Sequence, residues 1–154
     1  MARAALVNIQ NGRIEEGAST ITQQLVKNLF LANDQTFTRK AEELLLALDI
    51  ELAYTKPEIL EMYLNVVYYG AGFYGVGAAS EGYYGKSPDA LDLPEASMLA
   101  GIPNAPSTLS PFVDFIAAKK RQAIVLDAME SQNYIDRRTA EDAKIQPLIL
   151  RPKP

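Results

Sequence analysis

Apolar residues recur at intervals of three and four along most of the chain, the period of helices with one buried face. Ile21, Leu25, Val26 and Leu29 predict a helix from about Thr20 to Leu31. Ser19 or Thr20 can cap it, and Thr20-x-x-Gln23 has the spacing of a capping box. Upstream, Ala2 to Gln10 reads as an apolar-rich helix stopped by Asn11-Gly12, followed by a connector from Arg13 to Glu16. Downstream, Ala32 to Gln35 is a polar loop, and a longer helix is expected from about Thr38 to Tyr54. That helix carries two apolar stripes, Ala41, Leu44, Leu45, Leu48 and Leu52 on one side and Leu46, Ala47 and Ile50 on the other, so it is expected to be buried nearly all round. Thr55-Lys56-Pro57-Glu58 opens a further helix, with Thr55 as cap and Glu58 at the capping-box position. The cluster Leu29-Phe30-Leu31 reads first as core packing, with a membrane-facing patch as the alternative.

The second half is punctuated by glycine and proline. Gly70-Ala71-Gly72-Phe73-Tyr74-Gly75 is a literal G-x-G-x-x-G, yet no alternation of strand, helix and strand surrounds it, so a tight loop is preferred to a dinucleotide site. Asp92-Leu93-Pro94-Glu95 caps a short helix through Ala100, and Pro103, Pro106 and Pro111 predict a rigid extended connector from Ile102 to Phe112. Helices are expected from about Val113 to Gln132 and from Asp136 to Lys144. The tail from Gln146 to Pro154 reads as an exit toward a further domain or a loose terminus.

Against this pattern one charged residue is misplaced. Glu43 lies on the face of Leu46, Ala47 and Ile50, where a carboxylate is either desolvated or held by a cation. Arg39, four residues earlier on that face, can supply the cation, and an ordinary ion pair at this spacing is the plain alternative to a functional role. The helix mouth at Ser19 and Thr20, with Gln23, Gln24 and Lys27 beyond it, gathers backbone and side-chain donors and has the outline of an anion site.

Composition narrows the chemistry further. The 154 residues are one domain's worth, and a net charge of −4 argues against a broad nucleic-acid surface, so an anion must be held locally. With no cysteine and no histidine, thiol and imidazole catalysis and the usual zinc ligands are excluded, leaving carboxylates, Lys, Arg, Tyr and hydroxyls. No window of about 18 apolar residues exists to span a membrane, so by itself the sequence reads as cytoplasmic.

Several motifs stand in a telling order: Gly17-Ala18-Ser19-Thr20-Ile21-Thr22-Gln23-Gln24, then Arg39-Lys40-x-x-Glu43, then Lys56-x-x-Ile59-Leu60-Glu61-x-Tyr63-Leu64-Asn65. They continue through Tyr83-Tyr84-Gly85-Lys86, Leu93-Pro94-Glu95-Ala96, Asn104-Ala105-Pro106-Ser107 and Arg121 to Leu126. This series resembles the peptidoglycan glycosyltransferase family, the transglycosylase domain of class A penicillin-binding proteins and of monofunctional transglycosylases. The resemblance implies an all-α, lysozyme-like fold over residues 1–145, truncated at its N-terminus, with residues 146–154 a tail or linker.

It also implies a reaction: polymerisation of the lipid-linked disaccharide-pentapeptide lipid II into a growing glycan strand, with release of the lipid diphosphate. Glu43 corresponds to the second catalytic carboxylate. Ser19, Thr20, Gln23, Gln24, Lys27, Arg39 and Lys40 correspond to the diphosphate and substrate cradle, while Lys56, Glu61 and Asn65 are expected to brace the cleft. No cofactor is required for certain, although a divalent metal, Mg or Mn, is compatible with the family's chemistry. The general-base glutamate lies in a Glu-Asp-x-x-Phe stretch upstream of this chain's first residue, so little polymerisation is expected of the chain alone. Gln35 stands where many relatives carry a basic residue, which is expected to weaken diphosphate binding. The implied setting is the outer face of the inner membrane, with the membrane surface as a partner, a transpeptidase domain beyond Pro154 and no nucleic acid. N-terminal truncation reconciles that setting with the missing span. The alternatives kept are a non-catalytic remnant that binds the lipid diphosphate, and a glycan hydrolase using similar carboxylates.

Overall fold

The computed structural model describes residues 19–30 and 37–153, the side chains of residues 37–39 excepted. The expected Ala2–Gln10 helix, the Arg13–Glu16 connector, the polar loop at Ala32–Gln35 and Leu31 lie outside the described residues. The protein divides into two compact units, residues 1–66 and 67–154.

The first unit holds α1 (Ile21–Phe30), α2 (Phe37–Ala53) and α3 (Lys56–Val66). Helix α1 packs on both α2 and α3. It buries Leu25 and Val26 together with the polar residues Thr22 and Gln23, while α3 contributes Ile59 and Tyr63 to the interior. The capping box forms as the spacing predicts: the Thr20 N–H donates to Gln23 Oε1 at 3.0 Å and the Gln23 N–H to Thr20 Oγ1 at 3.1 Å. At the start of α3 the reciprocity is altered. Glu58 Oε2 accepts from both the Thr55 N–H, at 2.8 Å, and the Thr55 hydroxyl, at 2.7 Å, and these two bonds hold its carboxyl below the ordinary range.

Helix α2 departs from the expectation of burial all round. Its interior face is the stripe of Glu43, Ala47 and half-buried Ile50, whereas Leu44, Leu45, Leu48 and Leu52 are exposed, Leu52 at 87%. A helix with neighbours on one side buries one stripe, and among the described residues α1 and α3 supply that side alone. Leu29 and Phe30 likewise stand exposed at the end of α1, which corrects their reading as core.

In the second unit, Tyr68 bridges to Tyr74 across a tight loop in which Gly70, Ala71 and Gly72 all have positive φ. The G-x-G-x-x-G is therefore a turn, with no strand leading into it among the described residues. Helices α4 (Val76–Tyr84), α5 (Leu93–Gly101), α6 (Pro106–Leu109), α7 (Phe115–Ser131) and α8 (Arg137–Ile145) follow. The connector from Ile102 to Phe112 is not extended as expected. Pro103 and Pro106 sit in the first turns of a 3-10 turn, Ile102–Asn104, and of α6, because a ring that fixes φ near −65° suits the start of a helical turn.

Tyr83 is the hub of this unit. Its hydroxyl donates to the Tyr69 carbonyl at 2.9 Å and pairs with Ser110 Oγ at 2.7 Å, and its ring meets Phe73 edge-on at 5.1 Å and Phe112 at 4.8 Å. Helix α5 opens with a full capping box between Asp92 and Glu95, whose carboxylate also takes Lys86 Nζ at 2.7 and 2.8 Å. Gln122 of α7 donates to the Pro94 carbonyl at 2.7 Å and to Ser97 at 3.2 Å, which ties the longest helix of the unit to α5.

The tight loop gives a direct test of packing. At Gly70, φ is +76°, and an added Cβ would lie 2.4 Å from the Pro106 carbonyl oxygen and 2.9 Å from Ser110 Cβ. Gly70→Ala is expected to cost about 2–4 kcal/mol through backbone strain and overpacking, read as a lower urea midpoint. An unchanged midpoint would show that the loop can open without loss.

Candidate functional site

The site is built where the mouth of α1 meets the beginning of α2. Lys40 reaches from α2 to Ser19 Oγ at 3.1 Å, and its ammonium also forms an ion pair with Glu43 one turn further along. Glu43 is 3% exposed and the Lys40 side chain 55% exposed, so a buried carboxylate is joined to a cation that still meets solvent. Of the two states open to Glu43, the geometry selects the one held by a cation. That cation is Lys40, three residues away; the side chain of Arg39 lies outside the described residues.

Ser19, Lys40 and Glu43 thus form one chain of contacts, with Thr20 and Gln23 locked beside it in the capping box. Gln24, the next residue, is half-buried, and its Oε1 accepts a hydrogen bond from the Tyr63 hydroxyl of α3 at 3.2 Å. Burial holds the Tyr63 hydroxyl above the ordinary tyrosine range, which keeps it protonated and able to donate. Lys27 stands apart from this chain, exposed in the last turn of α1, where a cation also complements the helix dipole. Helical spacing nevertheless keeps Lys27 on the face of Gln23 and Gln24, four and three residues before it.

Three residues to which neither period nor motif assigns a role take part. Thr22 donates to Glu51 Oε1 of α2 at 2.7 Å, and Tyr63, by period one more apolar position of α3, supplies the bond to Gln24. The signal for Tyr63 is chemical: a tyrosine on a buried stripe must find a partner for its hydroxyl. Beside Thr22 and Glu51 opens a cavity of about 350 Å³ with walls from Ile21, Tyr54, Lys56, Ile59 and Leu60, so this polar contact of α1 with α2 faces a groove that neither Lys40 nor Glu43 lines. Of the residues expected to brace the cleft, Lys56 is exposed on that groove, and Glu61 and Asn65 are exposed on another.

In this structure the partner of the Glu43 carboxylate is the Lys40 ammonium. Among the described residues no three of Asp, Glu, His and Cys come together as a ligand cluster. What the arrangement supplies is a row of hydrogen-bond donors ending in a cation, suited to an oxyanion in which charge develops.

The comparison with known proteins decides the family. Residues 1–130 match the family model described as Transglycosylase. The chain belongs to that transglycosylase family. It is 46% identical over 151 residues to penicillin-binding protein 1A of Aquifex aeolicus, covering 98% of the chain and 21% of that protein. It is 45% identical over 152 residues to penicillin-binding protein 2D of Bacillus subtilis, covering 99% of the chain and 22% of that protein. The crystal structure of penicillin-binding protein 1A from Haemophilus influenzae superposes with a TM-score of 0.60 at 29% identity, over 85% of the chain and 16% of that structure. The fold is therefore the all-α, lysozyme-like transglycosylase fold, and the chain spans about a fifth of the length of the curated relatives it matches.

The Lys40–Glu43 pair makes an asymmetric prediction about stability. Lys40→Met leaves a buried carboxylate without its cation and is expected to cost about 1–2 kcal/mol, the lower part of the range because the lysine is half in solvent. Glu43→Gln, which keeps the shape and frees a lysine that water can solvate, is expected to cost less. Guanidinium unfolding of both variants checks the order, and the reverse order would remove Lys40 from its role.

Proposed function

We propose that this chain is the part of a peptidoglycan glycosyltransferase that holds the lipid diphosphate of lipid II while the disaccharide-pentapeptide is transferred to a glycan strand. The observation that carries the reading is the convergence of Ser19, Lys40 and Glu43 at the mouth of α1. In the transfer, a sugar hydroxyl of one substrate gives up its proton to a base and forms a bond to the anomeric carbon of the other, with inversion. The bond from that carbon to the diphosphate oxygen breaks, and negative charge collects on the departing diphosphate.

Each residue has a part in that step. Ser19, Thr20, Gln23 and Gln24 donate hydrogen bonds to diphosphate or sugar oxygens, and Lys27, Arg39 and Lys40 offset the charge of the leaving group. Glu43 acts at the diphosphate end by holding the Lys40 ammonium in place. Exposed Leu29 and Phe30, at the far end of the same helix, suit a membrane surface where the lipid tail resides. The reading places the working protein at the outer face of the inner membrane, with a transpeptidase domain beyond this chain; among the described residues no helix is long and apolar enough to cross a membrane.

Transfer from lipid II into glycan strands, followed on gels in the protein that carries this chain, tests the reading. Glu43→Gln is expected to lower turnover about 10²- to 10³-fold, the usual loss on removing one preorganised electrostatic contact. Turnover at the parental rate would reduce Glu43 to packing, and binding of lipid II without any transfer by the parent would leave a diphosphate-binding module instead.

A further inference from the structure

The two glutamines at the mouth of α1 are alike in one respect that their side chains do not require. An amide carries an acceptor end and a donor end, and nothing in a helix of this kind dictates which one faces outward. In Gln23 the oxygen end is taken by the Thr20 N–H, a group that can only donate. In Gln24 the oxygen end is taken by the Tyr63 hydroxyl, which comes from α3, 39 residues away in sequence. Both carbonyl ends are therefore engaged by the protein itself; Gln23 is buried, and for the NH2 end of the half-buried Gln24 no partner stands among the described residues, which leaves it to meet a ligand. One residue before Thr20, the Ser19 hydroxyl meets the half-exposed ammonium of Lys40.

We propose that Tyr63 is a positioning residue that, through its hydrogen bond to Gln24 Oε1, turns the Gln24 amide so that it presents donors and no acceptor to the anion at the mouth of α1. The inference rests on the diphosphate reading and deepens it. Tyr63 does not touch the ligand. It is buried between α3 and α1, and its ring packs while its hydroxyl sets the polarity of its neighbour. Without that hydroxyl Gln24 is free to flip, and an amide oxygen facing a diphosphate is repelled by it. A membrane-bound diphosphate is thereby favoured over a neutral sugar hydroxyl, which would accept either end of the amide.

A double-mutant cycle on binding separates this role from packing. The probe is a vesicle of zwitterionic lipid doped with a polyprenyl diphosphate, at fixed ionic strength, with undoped vesicles subtracted. Tyr63→Phe, which keeps the ring, is expected to weaken binding about tenfold, the loss of one charge-assisted hydrogen bond. Gln24→Ala is expected to weaken it to a similar degree, and in that background Tyr63→Phe should change nothing further. Gln24→Glu, which still accepts from Tyr63 but offers the ligand a carboxylate, should bind worse than Gln24→Ala. The urea midpoint of each variant is measured alongside. Equal losses from Tyr63→Phe with and without Gln24, or a lowered midpoint with parental affinity, would overturn the positioning role and leave the diphosphate site standing. Parental affinity in Gln24→Ala would overturn both.

Discussion

The interaction on which the first unit depends is the sharing of one ammonium, that of Lys40, between Ser19 and Glu43. Remove it and two things come apart. A carboxylate is left buried in an apolar helix face without its counter-charge, a state proteins avoid because a buried charge is poorly solvated. The start of α1 also loses a tie to the start of α2, so the capping box and the residues that follow it are no longer held against the cation. The ion pair is thus less a source of stability than a constraint on position. An exposed lysine and a buried glutamate one turn apart would be worth little as a surface pair, yet here they fix where a positive charge stands.

That placement matters in a protein with a net charge of −4. Long-range attraction cannot concentrate an anion at such a surface, and a phosphate approaching it is met by more carboxylates than cations. Short-range donors must do the selecting. Neutral donors, the backbone N–H groups of a helix mouth, hydroxyls and amide NH2 ends, bind oxyanions without adding charge that the rest of the surface would neutralise. One or two lysines at the edge then match the charge of the ligand. Glutamine is well suited to this arrangement when its oxygen is already committed elsewhere, as it is at both positions here.

Much of this is legible in the sequence because it is local. Capping boxes at Thr20 and Asp92 follow from a spacing of three residues, and the helices follow from apolar period, so spacing and period alone name their residues. The partner of Glu43 is harder to read. Residues three and four positions earlier are both within reach on a helix, and among the described side chains it is Lys40 that meets both Glu43 and Ser19. Burial is harder still: the leucines at 44, 45, 48 and 52 have the same chemistry as those of a core helix, and which stripe turns inward depends on how many neighbours the helix has. The prolines between Ile102 and Phe112 mislead for a different reason, since the same fixed φ that stiffens an extended segment also starts a helical turn. Tyr63 and Glu51 are beyond any local pattern, because their partners lie 39 and 29 residues away.

Those two distant contacts do something together that neither does alone. Residues 22 and 24 of an α-helix are about 200° apart around its axis, since each residue advances by about 100°. Thr22 is bonded to α2 through Glu51 and Gln24 to α3 through Tyr63, so α1 is gripped from two nearly opposite sides within its first turn. Apolar contacts through Leu25 and Val26 hold the helix against its neighbours, but they are tolerant of small rotations, because dispersion has no preferred direction. Hydrogen bonds are not tolerant of them. A rotation of α1 large enough to redirect Gln24 would stretch both bonds at once, and this is why a helix of ten residues, with two exposed apolar side chains at its far end, can still present its donors in a fixed direction.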